Sequence, residues 1–202
     1  MVDIHKKLIE LIKPDGVIIE IGAHIGTDTV KLHNNLKPAV LYAFEPDPRN
    51  YYKIENLNLE NVEICDVFVG NVNRIVPVWW SYGQTPNGRD HTDSNSLMEP
   101  KNNASWIKFR KGVAYCHTLD SMYFLEKVKV DLIWMDVQGA ELLVIEGAIE
   151  TLNRTKYLYT ECQEGRYEGQ PGLDKILAVL PNWKLVEKFG DNVLLEQIGF
   201  IK

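Results

Sequence analysis

The sequence contains little of what marks secreted or membrane-spanning proteins. It has 3 cysteines in 202 residues, widely spaced and in no metal-like pair, which favours free thiols and a reducing compartment. No hydrophobic run approaches the length of a membrane span, and the N-terminus lacks the apolar core of a signal peptide. These absences predict a cytoplasmic protein with no membrane partner.

Basic charge is also scarce. The 28 acidic residues outnumber the 22 basic ones, which gives a formal net charge of −6 and a pI near 5.4. Proteins that bind a phosphate backbone usually carry a basic surface, so we expect no nucleic acid partner. No spacing of His and Cys residues indicates a metal site, and the sequence does not predict an oligomeric state.

What the chain does contain is enough apolar sequence, 45% of its residues, for a globular core. Its length predicts a single domain over residues 1–202, with an amphipathic leading helix within residues 1–13. Apolar runs and helical patterns then alternate up to a third strand at 62–69, which indicates an α/β fold with a mostly parallel sheet. Residues 184–197 predict a closing antiparallel pair.

The most informative stretch is VIIEIGAHIGTD, residues 17–28. Its β-branched run and two glycines predict a buried strand, a sharp turn and a helix that begins at Thr27. Dinucleotide sites usually have the spacing G-x-G-x-x-G, whereas only Gly22 and Gly26 are present here. The carboxylate of Glu20 would repel a pyrophosphate but suits the cationic groups of S-adenosylmethionine.

Two further carboxylates follow at the predicted ends of strands. Glu45 closes the second apolar run, 19 residues after Gly26, where an acidic side chain accepts the ribose hydroxyls in nucleotide-binding βαβ units. Asp66 lies near the end of the third predicted strand and either accepts a hydrogen bond from an adenine amino group or is simply exposed. Parallel strands end at one rim of the sheet, so these side chains and Glu20 would lie together.

Residues 130–148, VDLIWMDVQGAELLVIEGA, form the second informative stretch. The apolar run predicts a central strand buried on both faces that delivers Asp136 to the same rim. A helix is predicted from Gly139 onward, and Glu141 in its first turn has a purely structural explanation as a helix-starting acid. The apolar positions of that helix are Leu142, Ile145 and Ile149.

Residues 70–115 interrupt the alternation of strands and helices. A segment of this length predicts an insertion, partly a hairpin, that forms a wall or lid of an acceptor site. The polar loop 163–172 is predicted at the same rim. The polar candidates in the insertion are Arg89, His91, Asn95 and Ser96. Its tryptophans, which suit either sugar faces or a hairpin core, are Trp79, Trp80 and Trp106.

The segments IIEIGAHIGTDTV, AFEPDP, HTLDSM and DLIWMDVQGAELLVIEGA together resemble the FkbM family of S-adenosylmethionine-dependent methyltransferases. The resemblance runs through most of residues 15–197. It implies a Rossmann-like class I methyltransferase fold with a mostly parallel seven-stranded sheet and helices on both faces. It also implies S-adenosylmethionine as the cofactor and a sugar, glycan or small natural product as the acceptor.

The resemblance further implies roles for single residues. Glu45 would hold the ribose, and Asp66 would lie beside the adenine. Asp136 and Glu141 match the acidic strand-end motif of the family and would lie near the transferred methyl group. Asp136 would also contact the cofactor. The turn around the cofactor would comprise Glu20, Gly22, Ala23, His24 and Gly26.

One position departs from the family pattern. The motif usually reads Asp-Val-Glu-Gly-x-Glu, whereas Gln138 stands here in place of its middle acid. If the family's acid at this position supplies a negative charge for catalysis or for a metal, the change to glutamine removes that role. If the acid only forms hydrogen bonds, glutamine keeps the role. We favour the second interpretation because Asp136 and Glu141 remain.

The sequence therefore predicts an S-adenosylmethionine-dependent O-methyltransferase. Its candidate general base is Asp136, followed by Glu141, His117 and Glu161. Three alternatives stay open: a dinucleotide-dependent oxidoreductase, a non-catalytic module that binds S-adenosylmethionine, and an RNA ribose methyltransferase. The glycine spacing disfavours the first alternative and the acidic charge disfavours the third.

Overall fold

The computed structural model describes residues 3–101 and 105–200, which fold into a seven-stranded sheet and a smaller three-stranded sheet. The strands are β1 (Val17–Ile21), β2 (Val40–Phe44), β3 (Val62–Cys65), β4 (Phe68–Val69), β5 (Arg74–Tyr82), β6 (Lys108–His117), β7 (Val130–Met135), β8 (Thr155–Glu161), β9 (Trp183–Phe189) and β10 (Asn192–Gln197). The α-helices are α1 (Ile4–Leu11), α2 (Thr27–Leu36), α3 (Pro48–Glu55), α4 (Glu141–Glu146), α5 (Ile149–Leu152) and α6 (Leu173–Val179). Two short 3₁₀ turns, Leu119–Ser121 and Tyr123–Leu125, precede β7.

The large sheet has the strand order β3-β2-β1-β7-β8-β10-β9. Five strands run parallel, and β10 is antiparallel to both β8 and β9. The chain moves outward from β1 to β3 and then returns to place β7 on the other side of β1, so the switch point lies between β1 and β7. This arrangement confirms the predicted fold class, and it puts the expected ligand rim at the carboxyl ends of these two strands.

Both faces of the large sheet are covered, which explains why its central strands lack a polar alternation. Neighbouring residues of a strand point to opposite faces. Ile18 therefore belongs to one buried cluster, with Leu32 of α2, whereas Ile19 belongs to the other, with Val144 of α4. The helices before β3 cover one face and those after β7 cover the other.

The helix predicted to begin at Thr27 is α2, and the apolar run predicted as a central strand before Asp136 is β7. The leading helix is present as α1, with the side chain of Asp3 accepting a hydrogen bond from the backbone of His5 as its N-cap. Residues 1–2 of the predicted 1–13 segment lie outside the described residues. The three cysteines are free, as predicted.

The third strand is shorter than predicted. It was expected to run over 62–69, but β3 ends at Cys65 and the chain leaves the large sheet. Phe68 and Val69 form β4, which pairs with the end of β6 at Cys116 and His117. The apolar run continues because both residues of β4 are buried in the second sheet.

The helix predicted from Gly139 onward is interrupted. It begins at Glu141 as α4 and stops at Gly147, and Ile149 starts the separate helix α5. A Cβ atom on Gly147 would lie 1.9 Å from the carbonyl oxygen of Gly70, so this glycine lets the two backbones touch. Ile149 is 48% exposed and does not continue the buried face.

The inserted segment contains a long hairpin. Strand β5 pairs with β6 in antiparallel register from Arg74 opposite Cys116 to Tyr82 opposite Lys108. The chain between them returns over the end of the large sheet, with Ser96 pairing to Trp79. Across 3–101 and 105–200, no helix has both the length and the hydrophobicity needed to cross a bilayer.

Candidate active site

A cavity opens at the carboxyl ends of β1, β2 and β7. It contains about 910 Å³ of empty space, including the part at its mouth that is open to solvent. The three strand ends form one side. Residues 67–69 and the loop after β5 form the other side.

Six of the eight residues predicted to contact the cofactor line this cavity, and two do not. Gly26 is the N-cap residue of α2 and is not part of the cavity lining. Asp66 follows β3 but is exposed and outside the cavity lining. The six lining residues are Glu20, Gly22, Ala23, His24, Glu45 and Asp136.

The turn after β1 is built from backbone contacts. Gly22 has φ +89°, and its N–H donates to the carbonyl of Phe44 at 2.9 Å, as does that of Ala23 at 3.0 Å. A Cβ atom on Gly22 would lie 1.9 Å from the carbonyl oxygen of Asp136. The turn is therefore wedged between β2 and β7, and only glycine fits at its start.

Glu45 is tied to the same turn. One carboxylate oxygen accepts the N–H of His24 at 2.8 Å, and the other accepts the N–H of Asp47 at 2.9 Å. Burial raises the pKa of Glu45 to about 7, and these backbone donors oppose the rise. The oxygen facing His24 accepts one bond, so it keeps capacity for a ligand hydroxyl.

Glu20 is buried with an unsatisfied oxygen. Its side chain is 1% exposed, and its Oε2 has no hydrogen-bond partner of normal geometry in the described part of the chain. Burial raises its pKa to about 8, against the opposing effect of nearby Thr29. A buried carboxylate beside a cavity fits a ligand with a cationic group, which would restore its ionised form.

Asp136 lines the cavity at the carboxyl end of β7. It follows β7 directly, and its backbone N–H donates to the carbonyl of Ile21 at 2.9 Å. Its side chain is exposed on the cavity side, while the protein around it raises its pKa by desolvation. Nε2 of Gln138 donates to its Oδ1 at 2.7 Å, which opposes that rise.

The other candidate bases do not line the cavity. Glu141 is fully buried, where its Oε1 accepts the N–H of Gly139 at 3.2 Å and burial raises its pKa to about 8. Glu161 lies half-buried at the end of β8, and burial raises its pKa to about 7. His117 ends β6 opposite Val69. Among the four candidates, Asp136 is the one that lines the cavity.

The inserted loop closes one wall through polar contacts. The amide of Asn95 donates to Oδ2 of Asp47 at 2.9 Å and accepts the N–H of Ser81 at 2.8 Å. The hydroxyl of Thr92 donates to Oδ1 of Asn50 at 2.8 Å. The loop is thus fixed to the start of α3.

Of the four polar candidates in the insertion, Asn95 lines the cavity and the other three do not. His91 and Ser96 are buried, and Arg89 is exposed. The hydroxyl of Ser96 donates to the backbone carbonyl of Gln138 at 2.7 Å. This contact joins the insertion to the turn after β7.

Sequence reasoning missed Tyr167. It is 2% exposed, and its hydroxyl lies 3.2 Å from Oε1 of Gln138 and 3.1 Å from the carbonyl of Ser94. A Cβ atom on Gly139 would lie 2.6 Å from Cβ of Tyr167, so that glycine admits the ring. The available signal was an aromatic residue within the polar loop 163–172, which was predicted at this rim.

The sheet order, the glycine turn and the acidic strand ends define a Rossmann-like fold of the class I methyltransferase type. Residues 20–192 match the family described as "Methyltransferase FkbM domain", and the chain belongs to this family of methyltransferases. A curated relative, 2-O-methyltransferase NoeI of Sinorhizobium fredii (strain NBRC 101917 / NGR234), is 36% identical over 197 residues. That match covers 92% of this chain and 80% of the relative.

Solved structures share the fold at low identity. Methyltransferase FkbM from Methylobacillus flagellatus KT has a TM-score of 0.56 at 14% identity, over 95% of this chain, which spans 50% of that one. An rRNA methylase from Streptococcus thermophilus has a TM-score of 0.56 at 13% identity, over 98% and 99% of the two chains. A SAM-dependent methyltransferase from Aquifex aeolicus has a TM-score of 0.51 at 17% identity, over 97% of this chain and 90% of that one. These neighbours show that the fold is shared, and the match of residues 20–192 to the methyltransferase family is what agrees with S-adenosylmethionine as the cofactor.

Proposed function

We propose that the protein is an S-adenosylmethionine-dependent O-methyltransferase that acts on a hydroxyl group of a sugar, glycan or small natural product. One observation carries the proposal: the carboxylate of Asp136 faces the cavity at the same rim as the glycine turn and Glu45. The name of the curated relative, a 2-O-methyltransferase, supports oxygen as the receiving atom.

The residues of the rim fit the cofactor. Glu45 would accept a ribose hydroxyl, and Glu20 would face the cationic amino-acid end. Gly22 leaves the turn free of a side chain, which suits close approach of a ligand. S-adenosylmethionine supplies a methyl group already activated on a sulfonium, so the protein has to align the acceptor and exclude water.

Asp136 would receive the proton of the acceptor hydroxyl. Desolvation raises its pKa, and a base whose pKa moves toward the working pH accepts a proton more readily. Glu141 would not contact the acceptor. It would stabilise the shape of the turn after β7 by accepting the N–H of Gly139. Asp66 would contact the adenine only at the outer edge of the site.

The cofactor site is tested by calorimetric titration with S-adenosylmethionine. We expect Glu45→Gln to weaken binding by about 10- to 100-fold, because a charge-assisted hydrogen bond contributes roughly 1.5–3 kcal/mol. Glu63→Gln, on the exposed face of neighbouring β3, is the matched control and should bind like the wild type. Equal affinity in all three proteins would remove Glu45 from the site.

The transfer step is tested by release of S-adenosylhomocysteine in the presence of hexoses, pentoses and short oligosaccharides. Asp136→Asn should lower turnover by about 10²–10⁴-fold, the usual share of a general base, with cofactor affinity within a few-fold of the wild type. Asp174→Asn, exposed on α6, is the control. Full turnover in Asp136→Asn would exclude it as the base, and cofactor binding without any turnover would favour a non-catalytic module.

A further inference from the structure

Gln138 connects a buried tyrosine to the carboxylate of the cavity. Its Nε2 lies 2.7 Å from Oδ1 of Asp136, and its Oε1 lies 3.2 Å from the hydroxyl of Tyr167. Its backbone is held as well, because φ is +54° and its carbonyl accepts the hydroxyl of Ser96 at 2.7 Å. The side chain is therefore fixed at both of its ends.

The hydrogen-bond donors and acceptors of Tyr167, Gln138 and Asp136 can be satisfied in two ways. In the first, the hydroxyl of Tyr167 donates to the amide oxygen of Gln138, and the amide nitrogen donates to ionised Asp136. In the second, Tyr167 donates to the carbonyl of Ser94, which lies 3.1 Å away. The rotated amide then donates to the tyrosine oxygen and accepts the proton of neutral Asp136.

We infer that Gln138 is a positioning residue that holds the Asp136 carboxyl group in one place in both its ionised and its protonated form, by rotation of its amide between Asp136 and Tyr167. The use of this device in catalysis rests on the proposed function. In that reaction a lone pair of the acceptor oxygen forms the new C–O bond, and the electrons of the S–C bond go to sulfur. The hydroxyl proton passes to Asp136.

A glutamate at position 138 could not do this. It would set two carboxylates in hydrogen-bond contact, which then share one proton. The other titratable groups around Asp136 do not favour its charged form. They are Asp28 of α2, Asp93 of the loop after β5, Glu141 of α4, Glu161 and Tyr159 of β8, and Tyr167. Donation by Gln138 therefore keeps Asp136 available as an acceptor of protons.

The test is an NMR titration of the protein without cofactor or acceptor. The side-chain carboxyl ¹³C signal of Asp136 is assigned by its absence in Asp136→Asn. Gln138→Met, which cannot donate, should raise the midpoint by about one pH unit. Gln138→Glu should raise it further and give a two-step titration. Gln84→Met, in the exposed part of the insertion, should leave it unchanged.

A second signal follows the rotation itself. The side-chain N–H protons of Gln138 should gain nuclear Overhauser contacts with the Tyr167 ring as the pH falls through the midpoint of Asp136, whereas an amide held in one orientation would keep its contacts unchanged. Equal midpoints in wild type, Gln138→Met and Gln138→Glu would overturn the inference, as would Gln138 amide contacts that stay the same across the midpoint. Thermal unfolding and titration with S-adenosylmethionine check that each variant is folded. Because no acceptor is present, these outcomes do not depend on whether the protein transfers a methyl group.

Discussion

Two turns leave the large sheet at the same rim, and they are held in different ways. The turn after β1 is fixed by backbone contacts, in which Gly22 and Ala23 donate to a carbonyl of β2 and Gly22 touches the carbonyl of Asp136. The turn after β7 is fixed by side chains from distant segments, namely Ser96 of the insertion and Tyr167 of the loop 163–172.

Under the proposed function, this difference separates the cofactor side of the site from the acceptor side. The first turn is held mainly by the sheet, by its two glycines and by Glu45, which accepts the N–H of His24, and a side-chain contact with the insertion joins His24 to Thr92. The second turn takes its shape from the insertion and from a late loop. We therefore expect changes in those segments to alter the acceptor side while cofactor binding persists.

The largest effect is expected from Gly22→Ala. The new Cβ atom would meet the carbonyl oxygen of Asp136 at 1.9 Å, at a φ of +89°, so the backbone must move. We expect chemical denaturation to show a loss of about 3 kcal/mol or more in the free energy of unfolding, with loss of cofactor binding. The control is Gly190→Ala, with φ +66° and open space around the added atom, which should lose only about 1 kcal/mol. Equal losses would show that backbone packing does not fix the first turn.

Gly139→Ala tests the second turn in the same way. Its Cβ atom would lie 2.6 Å from Cβ of Tyr167, at a φ of +95°. The expected loss is about 2 kcal/mol, with affinity for S-adenosylmethionine within a few-fold of the wild type. Gly165→Ala, with φ +100° and nothing within 4 Å, is the matched control. Loss of cofactor binding in Gly139→Ala would contradict the division between the two turns.

A buried acid lies next to each turn, Glu20 near the end of β1 and Glu141 at the start of α4, and both make stability depend on pH. The pKa values of Glu20 and Glu141 are raised to about 8 in the folded protein, so at pH 6 the folded state keeps a proton that the unfolded state has released. Raising the pH from about 4.5 to 8 should therefore lower the free energy of unfolding, by up to about 1.4 kcal/mol per pH unit for each group. Urea denaturation between pH 5 and pH 8 should show a shallower decline in Glu20→Gln and in Glu141→Gln. A decline as steep as that of the wild type in either variant would exclude that residue as its source.

The smallest effect is expected where the insertion is attached. Asn95→Ala removes the bonds to Asp47 and to the backbone of Ser81, but water can reach this half-buried site. Thermal unfolding should show a loss of about 1 kcal/mol, with faster proteolysis of the loop after β5. Asn71→Ala removes one exposed bond to Glu146 and should change stability by less than about 0.5 kcal/mol. A loop equally resistant to protease in both variants would show that Asn95 does not anchor it.

Much of the sheet could be predicted because its signals are local. The β-branched run before Gly22 and the apolar run up to Met135 each specify a buried strand, and the chain places them where expected. The prediction was wrong for residues 62–69, because an apolar run looks the same whether it continues one strand or passes into a second sheet. It was also wrong for the helix through Ile149, because the contact of Gly147 with Gly70 is not visible along the chain.

The prediction of an FkbM-family methyltransferase is confirmed, and the acceptor and the cytoplasmic location stay predictions. The roles of the site residues also stay predictions, although the structure gathers six of the eight expected cofactor contacts around one cavity. Asp66 shows most clearly that a residue's position in the sequence does not decide whether its side chain lines the cavity. Its position after β3 was correct in sequence, yet its side chain is exposed outside the cavity, because the chain turns toward the second sheet just beyond it.

By itself the sequence determined the parallel sheet, the glycine turn and the carboxylates at the strand ends, because burial periodicity and backbone freedom are properties of neighbouring residues. Only the tertiary structure decided that Asp136 faces the cavity while Glu141 is sealed behind it. It also decided that Gln138 lies between Asp136 and Tyr167. These relations depend on which of several equally polar side chains the insertion and the late loop leave open to the cavity, and that outcome requires segments far apart in the chain to pack together.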